Sequence, residues 1–145
     1  MTESPEVKTK GMSLENAEKE VDKFLAFYRI KISKIRVKAN REAMEACRDY
    51  LTGYVEDGVL NFVDKDGSLE CVHNVMRPRK NFPSQVIYRE VDGVAKTAMD
   101  DDDPSYARIY SLMGALSGLR RDQIMLMRGC DSSLVETLGK VFLQA

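Results

Sequence analysis

The sequence predicts an α+β fold with a long N-terminal helix, a small antiparallel β-meander and a C-terminal subdomain of two to three short helices. Three observations support this prediction. Apolar residues recur every three or four positions in the first third of the chain, as they do on one face of a helix. Asp-Gly pairs divide the middle third into short segments rich in β-branched and aromatic residues. Helical spacing then returns in the last third, after an acidic run.

Length and composition indicate one globular domain over residues 13–145. The chain has 145 residues, of which 43% are hydrophobic and 31% are charged, and its formal net charge is -1. This charge gives no general attraction to nucleic acid or to an anionic membrane. The 3 cysteines are an odd number without a C-x-x-C pair, which indicates a reducing compartment such as the cytoplasm. No apolar run is long enough to span a membrane, and the first residues are typical of neither a secretory signal nor a transit peptide.

The N-terminal helical region covers residues 13–53. Residues 1–12 have no periodicity and are expected to form a disordered tail. Ser13 is a suitable N-cap, and Gly53 could end the helix at its C-cap. The apolar residues of this region form one stripe: Val21, Leu25, Tyr28, Ile32, Ile35, Ala39, Ala43, Ala46 and Tyr50.

An alternative interpretation makes the segment "RIKISKIRVK" a strand. Its apolar residues change parity between Ile32 and Ile35, so the two-residue alternation of a strand fails. A helix is therefore the preferred interpretation. Asn40 is a place where the helix could break, because its side chain could cap a second helix.

Residues 54–98 are predicted to form a β-hairpin meander. The pairs Asp57-Gly58, Asp66-Gly67 and Asp92-Gly93 favour the positive φ angles of two-residue hairpin turns. The segments "VLNFV", "LECVHNV" and "QVIYREV" between these turns have strand composition. The stretch "MRPRKNFPS" is predicted to be a loop, because its two prolines cannot donate to a central strand.

Residues 99–145 are predicted to form the C-terminal helices. Pro104 suits the first helical position, and Asp103 would cap this helix with further negative charge at the positive end of its dipole. Gly118 is placed to end this helix, and a short helix holding Ile124 and Met127 would stop at Gly129. Ser133 and Glu136 have the spacing of a capping box for the last helix.

The run Asp100–Asp103 is the most obvious candidate for a metal site. A calcium loop needs alternating oxygen ligands, glycine at its sixth position and glutamate at its twelfth. Here the carboxylates are consecutive, and Ser105 and Ser111 occupy those two positions. A helix N-terminus explains the run better, although a weak contact with an exposed cation stays open.

Catalytic chemistry has few other candidates. Cys71 and His73 would point to the same face of a strand, but a zinc site needs a third ligand and a nucleophile needs an orienting group. A half-buried strand face is the simpler interpretation. The sequence has no nucleotide-binding loop or hydrolase motif, so it predicts no enzyme, no cofactor and no bound metal.

Two basic segments leave a second function open. The segment Arg29–Arg41 contains no acid, and with Arg77–Lys80 it could form a patch that binds phosphate or nucleic acid. Only Tyr28 borders the first segment, whereas single-strand binders place aromatic rings among the charges. A solvated helix face is therefore favoured for these cations.

The last third of the chain also carries a family resemblance. A strand ends in Tyr88-Arg89-Glu90, and an acidic gap and a helix ending in "ALSGL" follow. A short helix around Ile124, then Asp131 and a final helix ending in Phe142-Leu143, complete the series. This order resembles the tail assembly chaperones of tailed bacteriophages, the group similar to the E or 41 proteins, over residues 85–143. The chain departs from the family at Arg120, where proline is frequent, and after the strand motif, where Pro-Thr is usual.

The resemblance implies a non-enzymatic phage or prophage protein that acts in the bacterial cytosol during virion morphogenesis. Such a chaperone would bind the helical tape-measure protein, keep it soluble and pass it to tail-tube subunits. Amphipathic helices could offer a groove to that partner, and the N-terminal helix could pair with a second copy of itself. The contacts are expected on the C-terminal helices, at Tyr106, Ile109, Met113, Leu116, Ile124 and Met127.

Overall fold

The computed structural model of the chain describes residues 11–99 and 104–144. The fold is α+β, as predicted. In chain order the elements are α1 (Leu14–Phe27), α2 (Lys38–Glu56), β1 (Leu60–Lys65), β2 (Ser68–Asn74), β3 (Gln85–Tyr88), α3 (Gly93–Lys96), α4 (Ser105–Ser117), α5 (Arg121–Ile124) and α6 (Cys130–Phe142). The predicted tail falls largely outside the described residues, as does the predicted capping of α4 by Asp103.

The N-terminal region is a helical hairpin and not one long helix. The Oγ atom of Ser13 accepts a hydrogen bond from the amide of Asn16 at 3.3 Å, which confirms the predicted N-cap. Arg29 adopts a φ of 57°, and the amide of Ile30 donates to the Leu25 carbonyl at 2.9 Å. This is the hydrogen-bond pattern with which a left-handed residue ends a helix. The chain therefore turns at the end of α1, and α2 returns along it.

Three details of the predicted N-terminal region are wrong. The segment proposed as an alternative strand is a turn and one short 3-10 helix, Ile32–Lys34. Asn40 lies inside the first turn of α2, whose N-cap is Val37. The helix passes through Gly53 and ends three residues later, because the left-handed φ of 76° needed for the turn is supplied by Gly58.

The sheet is an antiparallel meander in the order β1-β2-β3. Asp66 and Gly67 form the predicted hairpin turn, with φ angles of 54° and 83° between the paired residues Lys65 and Ser68. The other two Asp-Gly pairs are not hairpin turns. The first ends α2, and in the second Asp92 caps α3 by accepting a hydrogen bond from the Ala95 amide at 2.7 Å.

The C-terminal helices are present as predicted, but three of their bounds differ. Pro104 is the N-cap of α4 and not its first helical residue. The α5 helix ends at Ile124 and not at Gly129, so Met127 lies outside it, and the start of the last helix also differs. Gly118 ends α4 with a φ of 76°, as expected. The α6 helix begins at Cys130, directly after Gly129, so the predicted capping box of Ser133 and Glu136 is wrong. The Oγ atom of Ser133 donates instead to the Gly129 carbonyl at 3.3 Å, inside the first turns of the helix.

The core lies between the sheet and the helices, with α6 packed between α2 and α4. The rings of Phe24 and Phe62 stack with centroids 4.5 Å apart, and Phe142 meets Phe24 edge-on at 5.9 Å. These contacts join α1, β1 and α6 in one cluster. Within residues 11–99 and 104–144, no helix is long and apolar enough to cross a membrane.

Candidate protein-binding surface

The six residues predicted to contact a partner lie in two different environments. Tyr106 is 64% exposed at the start of α4. The other five are at most 7% exposed and belong to the core: Ile109, Met113, Leu116, Ile124 and Met127. The apolar stripe of α4, which contains Ile109, Met113 and Leu116, packs inward because α6 and β3 cover it. This corrects the predicted contact face, of which a partner can reach only Tyr106 without opening the fold.

Tyr106 belongs to a surface whose residues are far apart in the sequence and are not predicted from it. Its side chain lies on the outer side of the layer formed by α2, α6 and α4, together with three other tyrosines. We call this the tyrosine face, and its members are Tyr50, Tyr54, Tyr106, Tyr110, Ser133, Glu136, Thr137 and Lys140. A cavity of about 280 Å³ lies between the tyrosines of α2 and the side chains of α6.

Hydrogen bonds hold the α4 side of the tyrosine face in place. The hydroxyl of Tyr110 donates to Glu136 Oε2 at 2.8 Å, and the hydroxyl of Ser132 lies 3.2 Å from the same oxygen. The ring of Tyr106 is nearly parallel to that of Tyr110, with 6.4 Å between centroids and 6° between planes. Tyr106 is therefore an exposed ring supported by a fixed one.

All three perturbed hydroxyls of this face stay protonated at physiological pH. Burial, and then the Glu136 carboxylate, raise the pKa of Tyr110 to about 12. Glu136 also raises the pKa of the Tyr106 hydroxyl, and burial raises that of Tyr54. Each hydroxyl is therefore neutral beside its apolar ring, and that of Tyr110 already donates its proton to Glu136.

This combination suits a helical protein partner. Tyrosine rings bury a large area at a small cost in side-chain entropy, and they are frequent among the residues that dominate binding energy. Between the α2 and α4 tyrosines, α6 presents the small exposed side chain of Ser133, which allows a backbone to approach closely. Thr137 lies deeper, 8% exposed, and donates to the Ser133 carbonyl at 2.8 Å. Glu136 and Lys140 supply one charge of each sign. The surface has the features of a groove for an amphipathic helix.

The lone histidine belongs to a buried network and not to the surface. His73 and Cys71, predicted to be half-buried, are 0% and 1% exposed. The Nε2 atom of His73 lies 2.9 Å from Asp131 Oδ1, and its Nδ1 atom lies 3.0 Å from the Tyr88 hydroxyl. The Asp131 carboxylate also accepts the amides of Met76 at 2.8 Å and Arg77 at 2.9 Å. The network fixes the loop after β2 to the first turn of α6.

The buried thiol and imidazole are poorly placed for chemistry on a substrate. Burial raises the pKa of the Cys71 thiol, so the reactive thiolate is disfavoured. Solvent does not reach His73, and the Tyr88 hydroxyl and the Asp131 carboxylate occupy both of its ring nitrogens. In the described part of the chain, no three or more His, Cys, Asp or Glu side chains are grouped so that they could hold a metal ion.

The two basic segments do not form one patch. Arg77 is tied to Asp131 at the start of α6, whereas Ile35, from the other segment, lines a cavity of about 320 Å³ with Leu143, just past the end of α6. The α6 helix has 13 residues, so it separates the two places by about 20 Å at 1.5 Å per residue. A ligand would meet only one of them at a time.

Comparison with known proteins gives no relative from which a role could be transferred. No protein-family model, curated protein or solved structure matches this chain.

Proposed function

We propose that the protein is a non-enzymatic assembly chaperone of the phage-tail type. It would bind a helical segment of a tape-measure protein in the cytosol of the bacterial host and release it to tail-tube subunits. The observation that carries this proposal is the tyrosine face, on which the exposed rings of Tyr50 in α2 and Tyr106 in α4 lie on either side of α6. The resemblance of residues 85–143 to the tail assembly chaperones supports the identity of the partner.

The tyrosine face replaces the core residues as the contact surface. Tyr50 and Tyr106 are each 64% exposed, so a docked helix would cover much of both rings. Burying the apolar part of a ring favours binding by roughly 25 cal/mol for each Å² removed from water. A partner helix with leucine or methionine toward Ser133 and Thr137 would use both rows of tyrosines at once.

Titration calorimetry of the purified chain with the tape-measure protein of the same genome tests this function. We expect Tyr50→Ala and Tyr106→Ala each to weaken binding by about tenfold, the effect of a moderate interface hot spot. Phe27→Ala is the matched control, because Phe27 is an aromatic ring, 40% exposed, at the C-terminal end of α1, a helix that contributes no residue to the tyrosine face. The absence of any complex between the two folded proteins would refute the proposal.

A second candidate function is anion or nucleic-acid binding by the segment Arg29–Arg41 alone. One observation favours it: a cavity of about 820 Å³ lies beside this segment. Arg29, Lys31 and Arg48 line it, together with the carboxylates of Asp22 and Glu45. Fluorescence anisotropy with a single-stranded oligonucleotide at low salt would detect such binding, which should fall steeply as salt rises. If no binding occurs at low salt, this candidate fails.

A further inference from the structure

The loop between β2 and β3 runs beside the segment that joins α5 to α6. Two backbone carbonyls connect them: that of Leu126 accepts a bond from Arg79, and that of Arg77 accepts one from Arg128. Together the two segments form a surface that we call the Met–Arg surface. Its members are Met76, Arg77, Arg79, Lys80, Met125, Leu126 and Arg128.

Two guanidinium groups on this surface are held in place while their outer nitrogens stay available. Arg79 donates from Nε to the Leu126 carbonyl at 2.7 Å, and Arg128 donates from Nε to the Arg77 carbonyl at 3.2 Å. Neither pair of terminal η nitrogens has a partner among the described residues. A guanidinium fixed in this way is ready to bind a carboxylate through two parallel hydrogen bonds.

The rest of the surface is apolar and cationic. Met76 is 57% exposed, Met125 is 54% exposed and Leu126 is 48% exposed. Residues 76–80 and 125–130 contain Arg77, Arg79, Lys80 and Arg128 but no aspartate or glutamate. Two carboxylates lie three residues along the chain from a member of the surface. Asp131 is fully buried and already accepts three hydrogen bonds, and Asp122 is exposed and paired with Arg120.

We propose that the Met–Arg surface binds an acidic amphipathic segment of a protein partner. Carboxylates of that segment would pair with Arg79 and Arg128, and its apolar side chains would cover the two methionines and Leu126. Methionine suits this role because its flexible, polarizable side chain adapts to different apolar shapes. The site is separate from the tyrosine face and shares no residue with it.

The chemistry of the surface favours a protein over other anionic partners. Single-stranded nucleic acid is bound by stacking its bases on aromatic rings, and the Met–Arg surface contains no aromatic residue. A lipid surface would need a larger apolar area, since even one buried acyl chain gives only marginal membrane binding. The surface combines three apolar side chains with arginines. This combination suits a short partner helix that has apolar residues on one face and aspartate or glutamate beside them.

The buried network holds the first two residues of the surface in place before a partner arrives. The two amides that Asp131 accepts belong to Met76 and Arg77, the first residues of the surface. Binding therefore does not have to order this part of the β2–β3 loop, and the entropy cost that is avoided favours affinity.

Fluorescence anisotropy with a labelled 16-residue helical peptide, leucine on one face and glutamate on the other, tests the proposal. We expect the peptide to bind, and an analogue with glutamine in place of glutamate to bind at least about tenfold more weakly, because charge-assisted hydrogen bonds are lost. The double variant Arg79→Lys and Arg128→Lys keeps the charge but removes the paired donors. We expect it to lose about tenfold as well.

Arg36→Gln is the control, because it removes one positive charge from the exposed basic segment near the other end of α6. It should change affinity by no more than about twofold. Equal binding of the glutamate and glutamine peptides to the wild-type chain would overturn the proposal without relying on any variant. Unchanged affinity of the folded double lysine variant would also overturn it. Tighter binding of an oligothymidine or of phosphatidylserine vesicles than of the peptide would overturn the choice of a protein partner.

Discussion

His73 and Asp131 lie 2.9 Å apart, both fully buried, although 58 residues separate them in the chain. Their contact joins β2, the central strand of the sheet, to the first turn of α6, the last helix. The Asp131 carboxylate also holds two amides of the β2–β3 loop. This one side chain therefore connects the packing of the core with the position of the Met–Arg surface.

Replacing Asp131 should destabilise the fold strongly. Asp131→Ala leaves His73 and two loop amides without their acceptor in a buried place, and breaking such a pair from one side costs about 3–5 kcal/mol. Urea unfolding followed by circular dichroism measures this loss of free energy. Asp122→Ala is the control, since its exposed pair with Arg120 should contribute less than about 1 kcal/mol. Equal effects of the two substitutions would contradict the role given to the network.

The same carboxylate should make stability depend on acid pH. Burial alone would raise the pKa of Asp131, but hydrogen bonds from His73 and from the amides of Met76 and Arg77 lower it below its ordinary value. The stability it contributes is therefore complete above the unfolded pKa of about 4 and is lost as the pH falls through the lower folded pKa. We expect the difference in free energy of unfolding between wild type and Asp131→Ala to shrink from about pH 4 to about pH 2. A constant difference over this range would contradict the lowered pKa.

Two helical glycines should respond in opposite ways to alanine. A Cβ at Gly139 would collide with the side chain of Ile109, because α6 and α4 pack closely there. We expect Gly139→Ala to destabilise by about 1–3 kcal/mol. At Gly53 a Cβ would meet nothing within 4 Å, so Gly53→Ala should stabilise α2 by about 0.5–1 kcal/mol. Thermal unfolding of both variants measures the contrast, and stabilisation by Gly139→Ala would show that the helices are less tightly packed.

The turn after α1 should become more stable with glycine. Arg29 has a φ of 57°, a conformation that costs most residues about 1–2 kcal/mol and costs glycine almost nothing. Arg29→Gly should therefore raise the free energy of unfolding by about 1 kcal/mol. Asn81→Gly is the comparison, because Asn81 has a similar φ of 65° but asparagine tolerates it. A gain at Asn81 as large as the gain at Arg29 would argue against backbone strain as the cause.

Local signals in the sequence located most elements correctly. Asp66-Gly67 marks its hairpin, Ser13 caps α1 and Gly118 ends α4, because each feature depends on a few adjacent residues. The sequence indicates a break between α1 and α2 only as an alternative near Asn40, because the apolar stripe continues through the turn that precedes Lys38. Ile32 and Ile35 pack on the core from a turn and a short 3-10 helix, at positions that also fit a helix.

The candidate surfaces could not be read from the sequence for a related reason. Periodicity finds the apolar side of a helix but cannot tell whether the protein's own core or a partner covers it. Met113 and Leu116 were therefore assigned to a partner although they lie in the core. The tyrosine face depends on three helices that meet only in the folded chain. The pairing of His73 with Asp131 likewise has no signal in the spacing of either residue.

The central claim is that the tyrosine face receives the helical partner. Backbone NMR of the isotope-labelled chain, titrated with the unlabelled tape-measure protein or a helical fragment of it, tests this claim most directly. We expect the largest shift changes at Ser133, Thr137 and Lys140 and in the α2 and α4 turns that carry Tyr50 and Tyr106. Changes confined to α1 and β1, with these positions unaffected, would contradict it.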